Sequence, residues 1–162
     1  MIQYIHFKKE EEGQMDQKVK YYPEYWAGKK LAYPYVSAES PKFARSVVVG
    51  NLVFISGCQG QNDQTLKTET IVFEEQMTIA LDKIRKAMEE VGSSMNNVIK
   101  TLILLKNLED YPRMRKTELE YYQKYAPLLV EFPPASTFLQ VASLAKLEFL
   151  VEIDVIGVAS RE

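Results

Sequence analysis

Between residues 46 and 158 two amphipathic helical stripes are set among runs rich in β-branched residues, and this alternation constrains the fold more than any other feature. The first run, SVVVGNLVFISG, reads as two strands about a Gly50–Asn51 turn. Residues 73 to 91 then carry Phe73, Met77, Ala80, Leu81, Ile84, Met88 and Val91 at the 3.6-residue spacing of a helix lying on a sheet, with Gly92 as its stop. NVIKTLILLK, residues 97 to 106, is too short and too β-branched for a second long helix and reads as a buried strand. LEDY opens a helix at Asp110, with Pro112 tolerated in its first turn. That helix is expected to run to about Tyr125 and to bury Met114, Leu119, Tyr122 and Tyr125. Pro127, Pro133 and Pro134 punctuate the next loop, and STFLQVASL and EFLVEIDVIGVAS are the last strands.

The order β-β-α-β-α-β-β predicts an α+β sandwich, one sheet with both helices on one face. The other face has no covering layer in the chain, yet its strands are apolar on both sides. That face is therefore expected to be buried by self-association. Residues 1 to 37 differ in character: a charge run, KKEEE, is followed by YYPEYWAGKKLAYPYV, in which six tyrosine and tryptophan rings lie among Pro23, Gly28 and Pro34. Such a stretch reads as an irregular arm, and it is too aromatic to be a solvated linker. The expected division is an arm over residues 1–37 and a domain over residues 38–162.

Composition narrows the function classes. A chain of 162 residues with 46% apolar residues can build one core without staples. One cysteine, Cys58, excludes an intrachain disulfide, and one histidine, His6, leaves no His/Cys cluster for structural zinc. Lysine and arginine total 20 against 22 acidic residues, so nothing in the balance pulls the chain towards nucleic acid. No apolar run approaches the roughly 20 residues of a membrane span. The opening MIQYIHFKKEEEGQ is too charged for a signal peptide, so a cytoplasmic location is expected.

Few residues carry a chemical signal of their own. His6 sits in the arm with no catalytic partner in sight. Cys58 follows the strand end ISG without a basic neighbour to activate it, and reads as an inert loop or pocket-lining residue. SGCQGQ lacks the Lys-Ser/Thr that a phosphate-binding loop requires. Tyr121, Tyr122, Lys124 and Tyr125 suit helical packing better than nucleic-acid stacking, because no basic stripe accompanies them. In the last strand, period-two alternation places Glu152 and Asp154 on one face, about 7 Å apart. Charged residues are mostly exposed, which favours a solvent face. Against that, Ile156 and Val158 continue the same face as apolar residues, so a carboxylate there sits at the margin of a buried surface, where it could orient a water or take a proton.

Four segments together resemble the RidA/YjgF family, the reactive-intermediate deaminases, also called L-PSP endoribonucleases. They are VVVGNLVFISGCQGQ, QMTIALDKIRKAMEEVG, VIKTLILLKNLEDY, and FPPASTFLQVASL with LVEIDVIGVA, in the family's order and spacing over residues 40 to 159. The resemblance implies a chorismate-mutase-like fold and a homotrimer with clefts between subunits. The implied reaction is hydrolysis of enamines and imines to a carbonyl compound and ammonia, with no metal or organic cofactor. It assigns the water-positioning role to Glu152 and places Gly57, with Cys58 beside it, in the cleft wall; Lys100 and Thr101 match the family's V-x-K-T stretch. Where the family has a Pro-Ala-Arg-Ser motif whose arginine holds the substrate carboxylate, this chain reads Pro134-Ala135-Ser136-Thr137. The cysteine that often follows is Phe138, and the cleft's early tyrosine is Phe43. Loss of a bidentate guanidinium, whose charge-assisted bonds contribute about 1.5–3 kcal/mol each, leaves three explanations. Another cation serves, with Arg45, Lys42, Lys29 or Lys30 as candidates; the substrate has no carboxylate there; or the site binds without turnover. Ser136 and Thr137 are expected to donate hydrogen bonds to the substrate. Besides the deaminase, two alternatives stand: a ligand-binding trimer without chemistry, and the endoribonuclease of the family name, which the acidic balance and the absence of a Lys/His pair disfavour.

Overall fold

The structure, a computed structural model, describes residues 19–22, 25–26, 29–30, 43–63 and 65–159. His6, Lys42, Tyr33 and Tyr35 lie outside the described residues, as do the side chains of Tyr25, Trp26, Lys29 and Lys30. The elements are β1 (Val19–Tyr22), β2 (Tyr25–Trp26), β3 (Lys29–Lys30), β4 (Ser46–Val49), β5 (Leu52–Gln59), α1 (Phe73–Glu90), β6 (Val98–Leu105), α2 (Tyr111–Tyr125), α3 (Leu128–Glu131), β7 (Ala135–Gln140) and β8 (Val151–Val158). From Ser46 onward they follow the expected order, with the short α3 added before β7.

Six strands form one mixed sheet in the order β1-β4-β5-β8-β6-β7, and β2 pairs only with β3. All neighbours in the large sheet are antiparallel except β6 and β7. The β4–β5 hairpin closes with Val49 opposite Leu52, which leaves a two-residue loop. Gly50 takes φ +60° at its first position, a conformation that suits glycine there. At the far end of α1, Gly92 at φ +76° lets Ser93 N–H reach the Met88 carbonyl and its own N–H reach Glu89, closing the helix with satisfied carbonyls.

Of the arm, Val19–Tyr22 pair with β4 at the sheet edge, Tyr22 opposite Ser46, while Pro23, Gly28 and Pro34 lie outside the described residues.

Both long helices pack on one face of the sheet. Phe73, Met77, Ala80, Leu81, Ile84 and Met88 of α1 meet Val53, Ile55, Val151, Ile153, Val155 and Ile103 in a single core. Gln76, fully buried, donates through Nε2 to the carbonyls of Thr70 and Glu148 and accepts from Leu150 N–H, all at 2.9 Å. These bonds tie the loop that enters β8 to α1. Arg113 of α2 reaches both carboxylate oxygens of Glu74 on α1 at 2.8 and 2.6 Å. In α2 the buried row is Met114, Thr117, Glu118, Tyr121 and Tyr122, whereas Leu119 and Tyr125 are 46% and 39% exposed. Met114 and Tyr122 are buried as expected, but the apolar count missed Thr117 and Glu118, which are polar; Glu118 is satisfied locally, accepting from Arg115 and from the Tyr122 hydroxyl.

Among the described residues no helix covers the other face. Register places Val47, Phe54 and Ile156 in one row across the sheet, and Val49, Leu52 and Val158 in the next. Glu152, Leu104 and Leu139 form a third row. Phe54 and Leu139 are each 41% exposed, so the apolar layer expected from sequence is present.

Candidate functional site

The site begins with an irregularity in β5. Ile55 faces Val155 and Cys58 faces Ile153, so β5 carries one residue more than β8 over this interval. Such a bulge re-aims the side chains next to it. Ser56 N–H donates to the Arg45 carbonyl at 2.9 Å, the Ser56 hydroxyl donates to the Ala44 carbonyl at 2.8 Å, and Arg45 N–H reaches Tyr22 at 2.8 Å. These bonds hold residues 43 to 45 along the bulge. A pocket of about 250 Å³ opens there, lined by Phe43, Arg45, Gly57, Cys58 and Glu152 together with Ser56, Gln59, Gln61, Asp63 and Lys83.

Gly57 is required by proximity. A Cβ at this position would lie 2.0 Å from Glu152 Oε1 and 3.0 Å from Asp154 Oδ1, so the carboxylate rests directly on the bulge backbone. The obstructed atoms are the far end of a flexible side chain. Gly57→Ala is therefore expected to cost only about 1 kcal/mol in chemical denaturation, at the mild end of overpacking, while turning Glu152 away. A crystal structure of that variant with Glu152 unmoved would contradict this account.

Charge in the pocket is balanced locally. Lys83 Nζ sits 2.7 Å from Asp63, and the Arg45 guanidinium lies 3.9 Å from Asp63 and 3.8 Å from Glu90. Burial pushes the Cys58 thiol up to about 12, against the pull of Lys83 and Arg45. A protonated, buried thiol is a wall of the pocket and not a nucleophile. Burial also raises the Asp154 carboxyl above its ordinary value. Among the described residues no group of three or more His, Cys, Asp and Glu side chains could hold a metal ion, and no helix is long and apolar enough to cross a membrane.

Ser136, Thr137 and Phe138 are not in this pocket. They lie on β7, the last strand of the sheet, two strands beyond β8. Ser136 is level with Val155 through Thr101, so within one chain it is offset from Glu152 by about 10 Å across the strands and about 10 Å along them. Ser136 thus lies on the edge strand, while Glu152 lies on an interior strand of the sheet. On β7 the Ser136 hydroxyl accepts from Thr101 at 2.9 Å and from Arg115 Nη2 at 3.3 Å. Lys100 Nζ donates to the Thr137 hydroxyl at 2.8 Å, and Phe138 stacks on Tyr111 with ring centres 4.3 Å apart.

Sequence reasoning missed Lys83, Asp63 and Arg115. Lys83 stands three residues after Ala80 and four before Ala87, both buried, so its place at the margin of the α1 stripe was a usable signal. Asp63 and Arg115 gave none, because a loop return and the packing of α2 on β7 bring them in.

Comparison with known proteins agrees with this architecture. The family model for endoribonuclease L-PSP matches residues 37–159. A RutC family protein of Pyrococcus horikoshii is 31% identical over 118 residues, covering 71% of this chain and 85% of its own length. A 2-iminobutanoate/2-iminopropanoate deaminase of Dermatophagoides farinae is 31% identical over 104 residues, covering 64% of this chain and 76% of its own. The crystal structure of the E. coli YjgF gene product superposes with a TM-score of 0.66 at 25% identity, over 76% of this chain and 91% of that one. With a family match spanning most of its length and the chorismate-mutase-like fold it shares with its structural neighbours, this chain belongs to the RidA/YjgF family.

Proposed function

We propose that this protein hydrolyses an enamine or imine to a carbonyl compound and ammonia, in a cleft completed by a neighbouring subunit of a homotrimer. The observation that carries the reading is the Glu152 carboxylate, resting on Gly57 at the mouth of a pocket that also holds Arg45 and Lys83. Two relatives support it by name, the 2-iminobutanoate/2-iminopropanoate deaminase of the mite and a chloroplastic reactive intermediate deaminase of Arabidopsis thaliana.

The chemistry asks little of the protein. Water adds to the imine carbon as Glu152 takes one of its protons and passes it to the nitrogen, which gives the neutral carbinolamine. In the collapse the carboxylate takes the carbinolamine hydroxyl proton as the carbonyl forms and hands it to the nitrogen as the C–N bond breaks, so that ammonia leaves; an enamine first tautomerises to the imine. Glu152 can do this only if the substrate is held over it, and the β7 hydroxyls of Ser136 and Thr137 are too far away within one chain. A second copy, docked through the open face, supplies them. Phe43 and the protonated Cys58 make part of the wall apolar, which limits competing solvent.

The test is ammonia release from freshly generated 2-aminoacrylate and 2-iminobutanoate. Release well above the uncatalysed rate is the expected result. Binding of the corresponding oxo acid with no acceleration would replace this reading by a ligand-binding trimer without chemistry.

A further inference from the structure

Part of the wall of the Glu152 pocket is the loop after β5, and one side chain of that loop is held in a single orientation. Lys146, in the segment before β8, donates through Nζ to Gln61 Oε1 at 3.0 Å and to the Leu66 carbonyl at 2.8 Å. Its ammonium also lies 5.5 Å from the centre of the Phe149 ring, which is buried, so the cation stands on a rigid base. The loop it grips is closed on itself: Asn62 N–H reaches the Lys67 carbonyl at 2.9 Å, and Leu66 N–H reaches the Asn62 carbonyl at 2.8 Å.

An ammonium carries donors only, so the end of the Gln61 amide that meets it is the carbonyl oxygen. The two Nε2 donors then turn away from Lys146, and among the described residues they meet no acceptor. Gln61 lines the pocket, whose other donors are engaged within the chain. Lys83 is paired with Asp63 at 2.7 Å, and Arg45 lies between Asp63 and Glu90. The Ser56 hydroxyl is taken up by the Ala44 carbonyl at 2.8 Å, and the Cys58 thiol by the Ser56 carbonyl at 3.4 Å. Gln59 also lines the wall, but among the described residues no bond fixes which end of its amide faces inward.

We propose that Gln61, oriented by Lys146, is a specificity-determining donor of the pocket, and that the imine taken there carries an uncharged hydrogen-bond acceptor on its side chain. The substrate class rests on the deaminase reading; the donor site does not. An aliphatic side chain filling the same space strips water from Nε2 and returns no bond. A site built around a donor rejects such an analogue more strongly than an apolar wall rejects a polar one. The acceptor is uncharged because both cations of the wall are already neutralised, and Asp63 and Glu152 repel an anion.

The experiment is calorimetric titration of the full chain with two oxo acids of one heavy-atom skeleton. The side chain of 2-oxosuccinamate ends in an amide, and that of 4-methyl-2-oxopentanoate ends in an isopropyl group. The parent is expected to bind the amide about 5- to 30-fold more tightly. Gln61→Glu keeps an oxygen for Lys146 but has no N–H, and it is expected to bring the two affinities within about twofold of each other. Lys146→Met, which frees the amide to turn over, is expected to lose part of the preference with Gln61 still in place. Because both ligands carry the same carboxylate, a change of local charge or a mild loss of stability weakens them alike and leaves their ratio unmoved. No binding of either ligand by the parent, equal binding of the two, or a parent-like ratio in a folded Gln61→Glu would each overturn the proposal. A Gln61-dependent ratio without ammonia release from 2-aminoacrylate or 2-iminobutanoate would uphold the donor and remove the deaminase reading.

Discussion

Glu152→Gln is expected to slow ammonia release by about 10²–10⁴-fold, the usual contribution of a positioned proton acceptor, with KM little changed. Glutamine is nearly the same size as glutamate, so the clearance over Gly57 is kept and the bulge has no reason to move. What disappears is the basic oxygen. An amide can still hold a water, but it cannot take the proton that water must lose as it bonds to carbon. The loss therefore belongs in kcat, the parameter sensitive to interactions made in the transition state. Gly57→Ala should fall in the same direction by a different route, since it leaves the carboxylate chemically intact and moves it. Parent-like turnover by a folded Glu152→Gln would transfer the role to another acceptor, and Asp154, whose Oδ1 approaches the same bulge, is the nearest alternative.

Part of this site could be found in the sequence: Phe43, Gly57 and Cys58 came from the resemblance to the family, and periodicity spoke only for the last strand. Alternation in VEIDVIGV put Glu152 and Asp154 on one shared face, and the register places that face opposite the helices. The 3.6-residue stripe ending at Gly92 located α1 to within a residue. Both signals are local, and local geometry dictates them. The misassigned face of α2 shows the limit: Thr117 and Glu118 turn inward because Arg115 and Tyr122 satisfy the glutamate, which a count of apolar residues cannot register. The same tertiary event carries Arg115 to Ser136 across 21 residues of sequence. Ser136 was legible as a candidate; Arg115 beside it was not, because no spacing rule links one turn of α2 to the start of β7.

A charge on the open sheet face is expected to abolish assembly and activity together. Phe54 lies between Val47 and Ile156 in the central row of that face, 41% exposed in the single chain. Water contact with so apolar a layer is unfavourable at about 25 cal/mol per Å², and the proposed trimer would relieve it. Phe54→Lys would bring an ammonium into each buried interface without a partner. The effective desolvation penalty is several kcal/mol per ion, and a homotrimer repeats it in every subunit. Within one chain the same lysine faces solvent, so the helix-side core of Val53, Ile55 and Ile153 is untouched and the far-ultraviolet circular dichroism should match the parent. Sedimentation is expected to show a parent trimer at micromolar concentration and a monomeric Phe54→Lys. Ammonia release is expected to be lost with it, because in the proposed assembly Ser136 and Thr137 meet the Glu152 pocket only from a neighbouring subunit. A monomer that retained full turnover would mean that the Glu152 pocket works alone, and the proposed division of the site between β8 and a neighbour's β7 would be wrong.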